Sequence, residues 1–478
     1  MLLERLVKNC NVISVYGDIN KDINNIRINS QEVEEGDCFI CLSGVRADGH
    51  NFANEAVARG AKAIVCNNDY QNPLVTVIKV DDTRKAYSMM SANYFGNPAD
   101  KLKIITVVGT NGKSTTAYLI KELLQQNRIN CGLIGTMYYE YSDKRIASSL
   151  TTPDPSMLHG LFREMLDSGM EYVVMELSAH AIYLEKLYGV LSEMTVFTNL
   201  SQDHLDFFGN MDEYAKCKKS YFDKKNTKLA IVNVDDRLGF EIVSEEKLPI
   251  ITYGLENPSD AFAINVTSTK EGESFVANVL DDIMDIHCNL YGKFNVYNLL
   301  SALVVAKRVG LTNAQIMQTI GKIKSPEGRF NVVRKDDITY VVDFAHTPDG
   351  IYNLLKEGRE MTDKKIITIF GCGGDRDVSK RPIMGKIASE MSDIVIITSD
   401  NPRTESREGI AGDILQGVNP KGKLYVELDR SKAIKLGVEL ADKGDVVFVA
   451  GKGSENYIDE NNTKIPYSDM NEVLRWIG

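Results

Sequence analysis

The sequence predicts an α/β chain of three domains. These are a small N-terminal α/β domain over 1–98, a central phosphate-loop domain with a mostly parallel sheet over 99–330, and a C-terminal doubly wound, Rossmann-like domain over 331–478. Three observations predict this. The chain has 478 residues, enough for about three units of roughly 150 residues. Residues 104–116, IITVVGTNGKSTT, read as strand, glycine loop and helix start. Beyond 331, apolar strand runs alternate with helical stretches, and each strand leads into a glycine-rich or polar loop.

In the first 98 residues, 33–42 reads as turn then strand, 51–60 as a short amphipathic helix, and 63–66 as a strand. No catalytic constellation appears there, so this part reads as a binding or packing module. Cys38 and Cys41 form a C-x-x-C inside an apolar run. Two strand residues three apart point to opposite faces, and no second pair completes a zinc site, so reduced, structural cysteines are expected.

The central domain opens on the phosphate loop. Glycines let backbone N–H groups turn inward, and the following helix adds partial positive charge at its start. Gly109, Thr110, Asn111, Gly112, Lys113, Ser114 and Thr115 form the cradle. Lys113 is placed to reach the terminal phosphates, and the Ser114 hydroxyl to hold Mg²⁺. The general pattern asks for a glycine five residues before Gly112, and Val107 stands there instead. The strand at 171–177 ends on Glu176, where a carboxylate faces the ligand crevice of an open sheet. That position suits either a second Mg²⁺ ligand or a plain strand-end carboxylate. Residues 194–198 form another strand leading to His204, flanked by Asp203 and Asp206. The following stretch, 214–222, is basic, with Lys216, Lys218 and Lys219, and ordinarily reads as a solvated helix face. Residues 261–290 alternate like a β ribbon, and a long helix starting near 294 carries Asn295 and Asn298 in its first turn. In the last domain the loops after the strands carry Asp375, Arg376, Asp400, Arg403 and Glu455. Charges of both signs there suit a zwitterionic ligand such as an amino acid.

A net charge of −11 argues against a nucleic-acid or anionic-membrane partner while leaving small anionic substrates open. No apolar run reaches the roughly 20 residues that span a bilayer. The start, MLLERLVKNC, lacks a signal core, so a cytoplasmic protein is expected.

Taken together, these motifs resemble the Mur ligases, the ATP-dependent amino-acid ligases of peptidoglycan precursor synthesis. The resemblance rests on GTNGKST (109–115), TTPDP (151–155), MELSAHA (175–181), TNLSQDHLD (198–206), NVYN (295–298), GRF (328–330), DFAHTPD (343–349), GCGGDRD (371–377) and SDNPR (399–403). It is strongest for the branch that adds the third residue of the stem peptide. The resemblance implies a uridine-nucleotide domain, an ATPase domain and an amino-acid domain. It implies that ATP phosphorylates the free carboxylate of UDP-MurNAc-L-Ala-D-Glu and that the amine of meso-diaminopimelate attacks the acyl phosphate, in a monomeric enzyme. Ser114 and Glu176 resemble ligands of one Mg²⁺. His204 and Lys218 resemble ligands of a second, Lys218 matching the family's carbamylated lysine. Asn298, Arg329 and Asp343 resemble nucleotide contacts. Ser30, Thr151, Thr152, Ser178 and Lys186 fall on acceptor-substrate positions. Arg376, Asp400, Asn401, Pro402, Arg403, Gly451 and Glu455 resemble the diamino-acid site, where an arginine in the 400–403 loop clamps a distal carboxylate that lysine lacks.

Departures from the family pattern fall mostly on the acceptor side. Asn29 and Gln31 replace Asp and Arg around Ser30, Leu184 and Lys186 replace Gln and Arg, Phe208 replaces a histidine, and Ser454 replaces the histidine of Gly-Lys-Gly-His-Glu. A lysine-adding enzyme, a paralogue acting on another carboxylate acceptor, and a nucleotide-binding protein without catalysis are the alternatives. The complete phosphate and metal set speaks against the last.

Overall fold

β-Branched apolar runs closed by glycine or polar turns become the strands of the sheets. The computed structural model describes residues 1–44, 47–269, 271–419 and 421–478. It divides into two compact units, Met1–Thr106 with Ile129–Thr195 and Tyr221–Lys228, and Val107–Arg128 with Val196–Ser220 and Leu229–Gly478.

The first unit begins with a five-stranded sheet of β1 (Val12–Tyr16), β2 (Ile26–Arg27), β3 (Cys38–Ile40), β4 (Ala63–Cys66) and β5 (Thr76–Val80), ordered β1-β5-β4-β3-β2. β2 to β5 run parallel to their neighbours and β1 is antiparallel at the edge. The two-residue period of β3 sends Cys38 and Ile40 into one apolar cluster and Phe39 and Cys41 into the other. All eight cysteines are free thiols, and burial pushes the Cys41 thiol up to about 12. The predicted helix at 51–60 is shorter, Ala53–Ala58, because a 3₁₀ turn at Gly49–Phe52 capped by Asp48 precedes it.

The rest of this unit is built on β6 (Lys103–Val108, whose last two residues fall in the second unit), β7 (Cys131–Ile134), β8 (Tyr138–Tyr141), β9 (Lys144–Ala147) and β10 (Tyr172–Glu176), ordered β6-β10-β7-β8-β9. β7 and β10 are parallel and end together, which sets Glu176 at the C-terminal end of its strand. Helix Pro155–Asp167 buries His159 completely, edge-on to Phe162 at 5.7 Å.

In the second unit, β11 (Met194–Phe197, which starts in the first unit), β12 (Ala230–Asn233), β13 (Ile250–Gly254), β14 (Ala261–Thr269), β15 (Gly272–Val279) and β16 (Asp282–Cys288) lie in the order β16-β15-β14-β13-β12-β11. β14 to β16 form the antiparallel ribbon foreseen at 261–290. The other sheet holds β17 (Asn331–Lys335), β18 (Ile338–Asp343), β19 (Ile366–Phe370), β20 (Ile394–Ile397), β21 (Lys423–Val426) and β22 (Val446–Ala450), in the order β17-β18-β22-β19-β20-β21. All of these are parallel except β17. Alternate residues fill opposite faces, Val341, Phe370, Ile397 and Phe448 on one and Val342, Ile369, Ile396 and Val449 on the other. Burial on both faces is what a doubly wound sheet requires. The register places Asp343, Ala450, Phe370 and Ile397 level with one another, so the loops that follow them open on one edge. A small hairpin, β23 (Tyr457–Glu460) and β24 (Thr463–Pro466), comes last. Among the described residues no helix is long and apolar enough to cross a membrane.

Neither ring nitrogen of His159 has a hydrogen-bond partner, and burial lowers its pKa to about 4. The unfolded chain, with an ordinary histidine, therefore binds the extra proton first. Stability is complete above about pH 6.5 and is lost as pH falls from there toward 4. His159→Leu is expected to remove about 2 kcal/mol of the loss between pH 7 and pH 5. Denaturant unfolding of both proteins at the two pH values measures this, and an equal loss in the two would contradict it.

Candidate active site

The phosphate loop is held by side chains from the next strand end, since its own residues are small. Thr110 N–H donates to the Asn199 carbonyl at 2.9 Å, Asn111 N–H to Asn199 Oδ1 at 2.9 Å, and Thr198 Oγ1 to the Asn111 carbonyl at 2.7 Å. Gly112 has φ +82° and caps helix Lys113–Gln126, a backbone conformation open to glycine at little cost. Ser114 and Thr115 are buried in the first turn. Lys113 Nζ donates to the carbonyls of Gly109 (3.1 Å) and Thr110 (2.8 Å), which keep the ammonium over the loop. Asn298, from helix Lys293–Val309, accepts from Thr116 Oγ1 at 3.2 Å and donates to Asn295 at 2.9 Å. Arg329 reaches the same place, its guanidinium donating to Ser114 Oγ at 2.9 Å while lying 4.3 Å over the Phe344 ring. Asp343 accepts from the N–H groups of Phe330 and Ala345, both at 2.7 Å. Its burial raises its pKa against the pull of Arg329.

The basic stretch does not form a solvated face. Helix Met211–Lys219 starts three residues before the predicted 214 because Asn210 caps it, and it turns Lys218 fully inward while Lys216 stays exposed. Lys218 Nζ sits 4.3 Å over the Tyr214 ring, whose hydroxyl lies 3.3 Å from Thr110 Oγ1. His204, at φ +57°, packs edge-on to the same ring. Burial, and then the nearby Lys113 charge, hold Lys218 well below the usual lysine range, which favours a neutral amine. Asp203 is buried between His204 (3.4 Å), His346 (3.7 Å) and Lys380 (3.3 Å). Burial alone raises its pKa, but the His346 hydrogen bond and the Lys380 charge bring it well below the ordinary carboxylate value.

In the first unit, the Glu176 carboxylate accepts from Thr136 N–H at 2.7 Å and Thr136 Oγ1 at 3.0 Å. Thr151 Oγ1 lies 3.0 Å from Thr136 Oγ1, and Thr152 Oγ1 donates to the Glu176 carbonyl at 2.9 Å. Ser178 N–H donates to Thr152, and Lys186 Nζ contacts the Thr152 carbonyl (3.1 Å) and Asp154 (2.9 Å). Thr151, Thr152, Ser178 and Lys186 thus gather around the end of β10. Ser30 stands apart from this group, buried, with its hydroxyl donating to Glu55 at 3.0 Å.

The donor chemistry bears on magnesium. The Ser114 hydroxyl and Glu176 carboxylate are hard oxygen donors of the kind it prefers. An ammonium coordinates nothing, so Lys218 fits only as a carbamate, which a neutral amine can form. Among the described residues no group of three His, Cys, Asp or Glu gathers to offer an alternative site.

At the open edge of the six-stranded sheet, the loops after β19, β20 and β22 converge. A Cβ at Gly373 would lie 3.0 Å from an Arg403 guanidinium nitrogen and 3.8 Å from Arg376 Cγ, so the two arginines flank this glycine. Arg403 adopts φ +51° and donates to the Gly374 carbonyl at 2.6 Å. Lys452, fully buried, donates to Asn401 Oδ1 and Glu455 Oε2, both at 2.9 Å, and Asn401 donates to the same Glu455 oxygen at 2.8 Å. Asp400 accepts from Asn401 N–H at 2.6 Å. Pro402 and Gly451 complete the floor and are both buried.

Comparison with known proteins matches these parts in order. Residues 22–95 match the catalytic-domain description of the Mur ligase family, 107–306 its middle domain, and 328–453 its glutamate ligase domain. The chain is 41% identical over 481 residues, 100% of this chain and 99% of the relative, to UDP-N-acetylmuramoyl-L-alanyl-D-glutamate--2,6-diaminopimelate ligase 1 of Clostridium acetobutylicum. It belongs to the Mur ligase family. A solved structure of a UDP-N-acetylmuramoyl-L-alanyl-D-glutamate--2,6-diaminopimelate ligase superposes with a TM-score of 0.71 at 30% identity, over 100% of this chain and 98% of that one. The fold also matches the MurF ligase of Thermotoga maritima in complex with ADP, at 19% identity and a TM-score of 0.63, over 95% of this chain and 97% of that one.

This Mur ligase uses several side chains that sequence reasoning passed over. Tyr214 stands under Lys218, and Lys452 aligns Asn401 with Glu455. Arg430, fully buried, pairs with Asp469 at 2.7 Å and donates to the carbonyls of Ser399 and Ala450. Arg381 forks onto Glu405 and Asp413 at 2.8 Å and onto the Gly373 carbonyl at 3.2 Å, tying together the loops that bear Arg376 and Arg403. A buried cation beside half-exposed carboxylates has no signature in a single sequence. The one available signal was a Lys380-Arg381 pair opening a helix directly after GCGGDRD. Arg381→Met is expected to lower global stability by about 2 kcal/mol, since it strips two carboxylates and a carbonyl of their partner. Chemical denaturation reads this, and an unchanged midpoint and slope would rule it out.

Proposed function

We propose that this Mur ligase joins meso-diaminopimelate to the D-glutamyl carboxylate of UDP-MurNAc-L-Ala-D-Glu. ATP is converted to ADP and phosphate through an acyl phosphate. The observation that carries this reading is that the Arg403 guanidinium and the Arg376 side-chain stem both lie beside Gly373, in a loop edge that also holds Asn401 and Glu455. Two neighbouring arginines call for a carboxylate, and diaminopimelate has a distal carboxylate that lysine lacks. Relatives of about 40% identity over nearly the full chain bear the name of that ligase.

In this reading the chain works as three domains, 1–98 for the uridine nucleotide, 99–330 for ATP and 331–478 for the amino acid. Gly109 to Thr115, Lys113 among them, bind the phosphates, and Asn298, Arg329 and Asp343 are further nucleotide contacts. Arg329 already meets Ser114, so a nucleotide entering the loop meets a guanidinium as well as an ammonium. A carboxylate attacking a triphosphate brings anions together, and these cations lower that repulsion. Ser114 and Glu176 would hold one Mg²⁺, and His204 and carbamylated Lys218 a second; when bound these ions supply further charge neutralisation. Thr151, Thr152, Ser178 and Lys186 orient the acceptor peptide, Lys186 in place of the family's arginine, and Ser30 serves the uridine nucleotide. The loop residues Asp400 to Arg403, with Gly451 and Glu455, position the amino acid so that its reacting amine faces the acyl phosphate. Domain closure keeps water from the acyl phosphate. Eight free thiols fit a reducing cytoplasm, where we expect a monomer.

Incubation with UDP-MurNAc-L-Ala-D-Glu, ATP and either meso-diaminopimelate or lysine, with phosphate release as readout, tests the reading. Turnover with diaminopimelate is expected, and turnover with lysine alone would overturn the specificity. Lys218→Ala is expected to abolish phosphate release, with partial rescue by added bicarbonate or short carboxylates. A fully active Lys218→Ala enzyme would exclude the carbamate role.

A further inference from the structure

The hairpin β23–β24 falls outside every role assigned so far, yet it is built onto the amino-acid loop. Arg403 N–H donates to the Asp459 carbonyl at 2.9 Å, Asn461 N–H to the Arg403 carbonyl at 2.8 Å, and Asp459 N–H to Asn401 Oδ1 at 2.9 Å. Arg407 locks the hairpin from outside through a bidentate pair with Glu460 at 2.9 and 2.7 Å. The backbone of β23 is thus an added strand on residues 401–403, bridged at Arg403 and Glu460. This register places the Asp459 and Arg403 side chains together, Oδ2 to Nε 3.7 Å, each 23% exposed.

Two carboxylates, Glu455 and Asp459, are therefore candidates to meet a ligand's ammonium. Glu455 Oε2 already receives Lys452 Nζ and Asn401 Nδ2. Its charge is largely answered inside the protein. Among the described residues no group donates a hydrogen bond to the Asp459 carboxylate, and Arg403 at 3.7 Å is its one ion-pair partner. That separation is too long for a hydrogen bond. A carboxylate and a guanidinium side by side present a negative and a positive end together. The complement is an ammonium and a carboxylate on one carbon, the distal end of a diaminodicarboxylate.

We propose that Asp459 is a specificity-determining residue that receives the distal ammonium of the amino-acid substrate while Arg403 and Arg376 take the carboxylate on the same carbon. The inference rests on the proposed ligase reading. Lysine brings no distal carboxylate to the two arginines. A substrate with the distal carboxylate but no distal ammonium, 2-aminopimelate, leaves Asp459 facing that carboxylate and repelling it.

Steady-state kinetics of the full-length enzyme and of Asp459→Asn, with meso-diaminopimelate and with 2-aminopimelate, test this. Asparagine keeps the size of the side chain, and the hairpin's docking bonds come from its backbone. The expected result is a loss of about tenfold to a hundredfold in kcat/KM for meso-diaminopimelate, carried mainly by KM. The KM for ATP stays unchanged, and kcat/KM for 2-aminopimelate is equal or higher, so discrimination between the two collapses. Asp459→Ser gives the same collapse, which separates loss of charge from any local effect of asparagine. Equal losses for both amino acids would show a structural role for the hairpin and overturn the proposal. So would no change, or tighter binding of meso-diaminopimelate, which would make Asp459 only a competitor for Arg403. Wild-type enzyme inactive with meso-diaminopimelate would bring down the ligase reading itself. Wild-type activity with discrimination unaffected by Asp459→Asn would bring down only the role of Asp459.

Discussion

A phosphate cradle made of glycine, threonine and asparagine cannot hold its own shape, and the rest of the active site depends on what holds it. Here the constraint is a set of short hydrogen bonds from Thr198 and Asn199 to the loop backbone at 110–111, backed by Asn298 behind Gly112. These groups sit on the neighbouring strand end and on helix Lys293–Val309, so loop geometry is set by sheet register rather than by the loop itself. The same frame sets Lys218. Tyr214 lies between Lys218 Nζ, over its ring, and Thr110 Oγ1, and burial with the Lys113 charge pulls the Lys218 pKa down. The loop lysine and the buried lysine are therefore electrostatically joined in the folded protein.

The six-stranded sheet solves a related problem with charge instead of amides. Its parallel strands end level, and their final carbonyls and loops would otherwise be loose. Arg430, sealed against Asp469, ties the strand ends at Ser399 and Ala450, while Lys452 and Arg381 order the loops above. A buried, hydrogen-bonded cation is a costly element to place, and it gives a rigid floor in return. Rigid floors suit recognition of a small ligand through a few directed contacts.

Much of this was legible in the sequence. Short apolar runs before glycine or Ser-Asp-Asn loops read directly as parallel strands, because burial on both faces removes polar alternation. Glu176 was legible as a strand end for the same reason. Lys218 was not. Its neighbours Lys216 and Lys219 make the segment look like a solvated face, and only the turn of the helix from Asn210 decides that Lys218 points inward. The ordinary helix-face reading was wrong there, and family resemblance had to supply the correction. Arg430 and Asp459 were invisible, and the role of Arg381 nearly so, for a further reason. Their partners lie far along the chain, and a single charged residue carries no record of whether it is buried. Ser30 was placed by motif alone, and the fold gives its hydroxyl to Glu55.

The left-handed backbone at Arg403 has an evolutionary consequence. A side chain in that conformation is held against its own preference by about 1–2 kcal/mol, and a glycine or asparagine there would relax it. Random drift at this position therefore runs toward a more stable protein that has lost its guanidinium. Under the proposed ligase reading, the arginine would persist only as long as selection for the amino acid it reads outweighed that thermodynamic slope, which would make this loop a natural point at which one lineage's cell-wall chemistry could turn into another's.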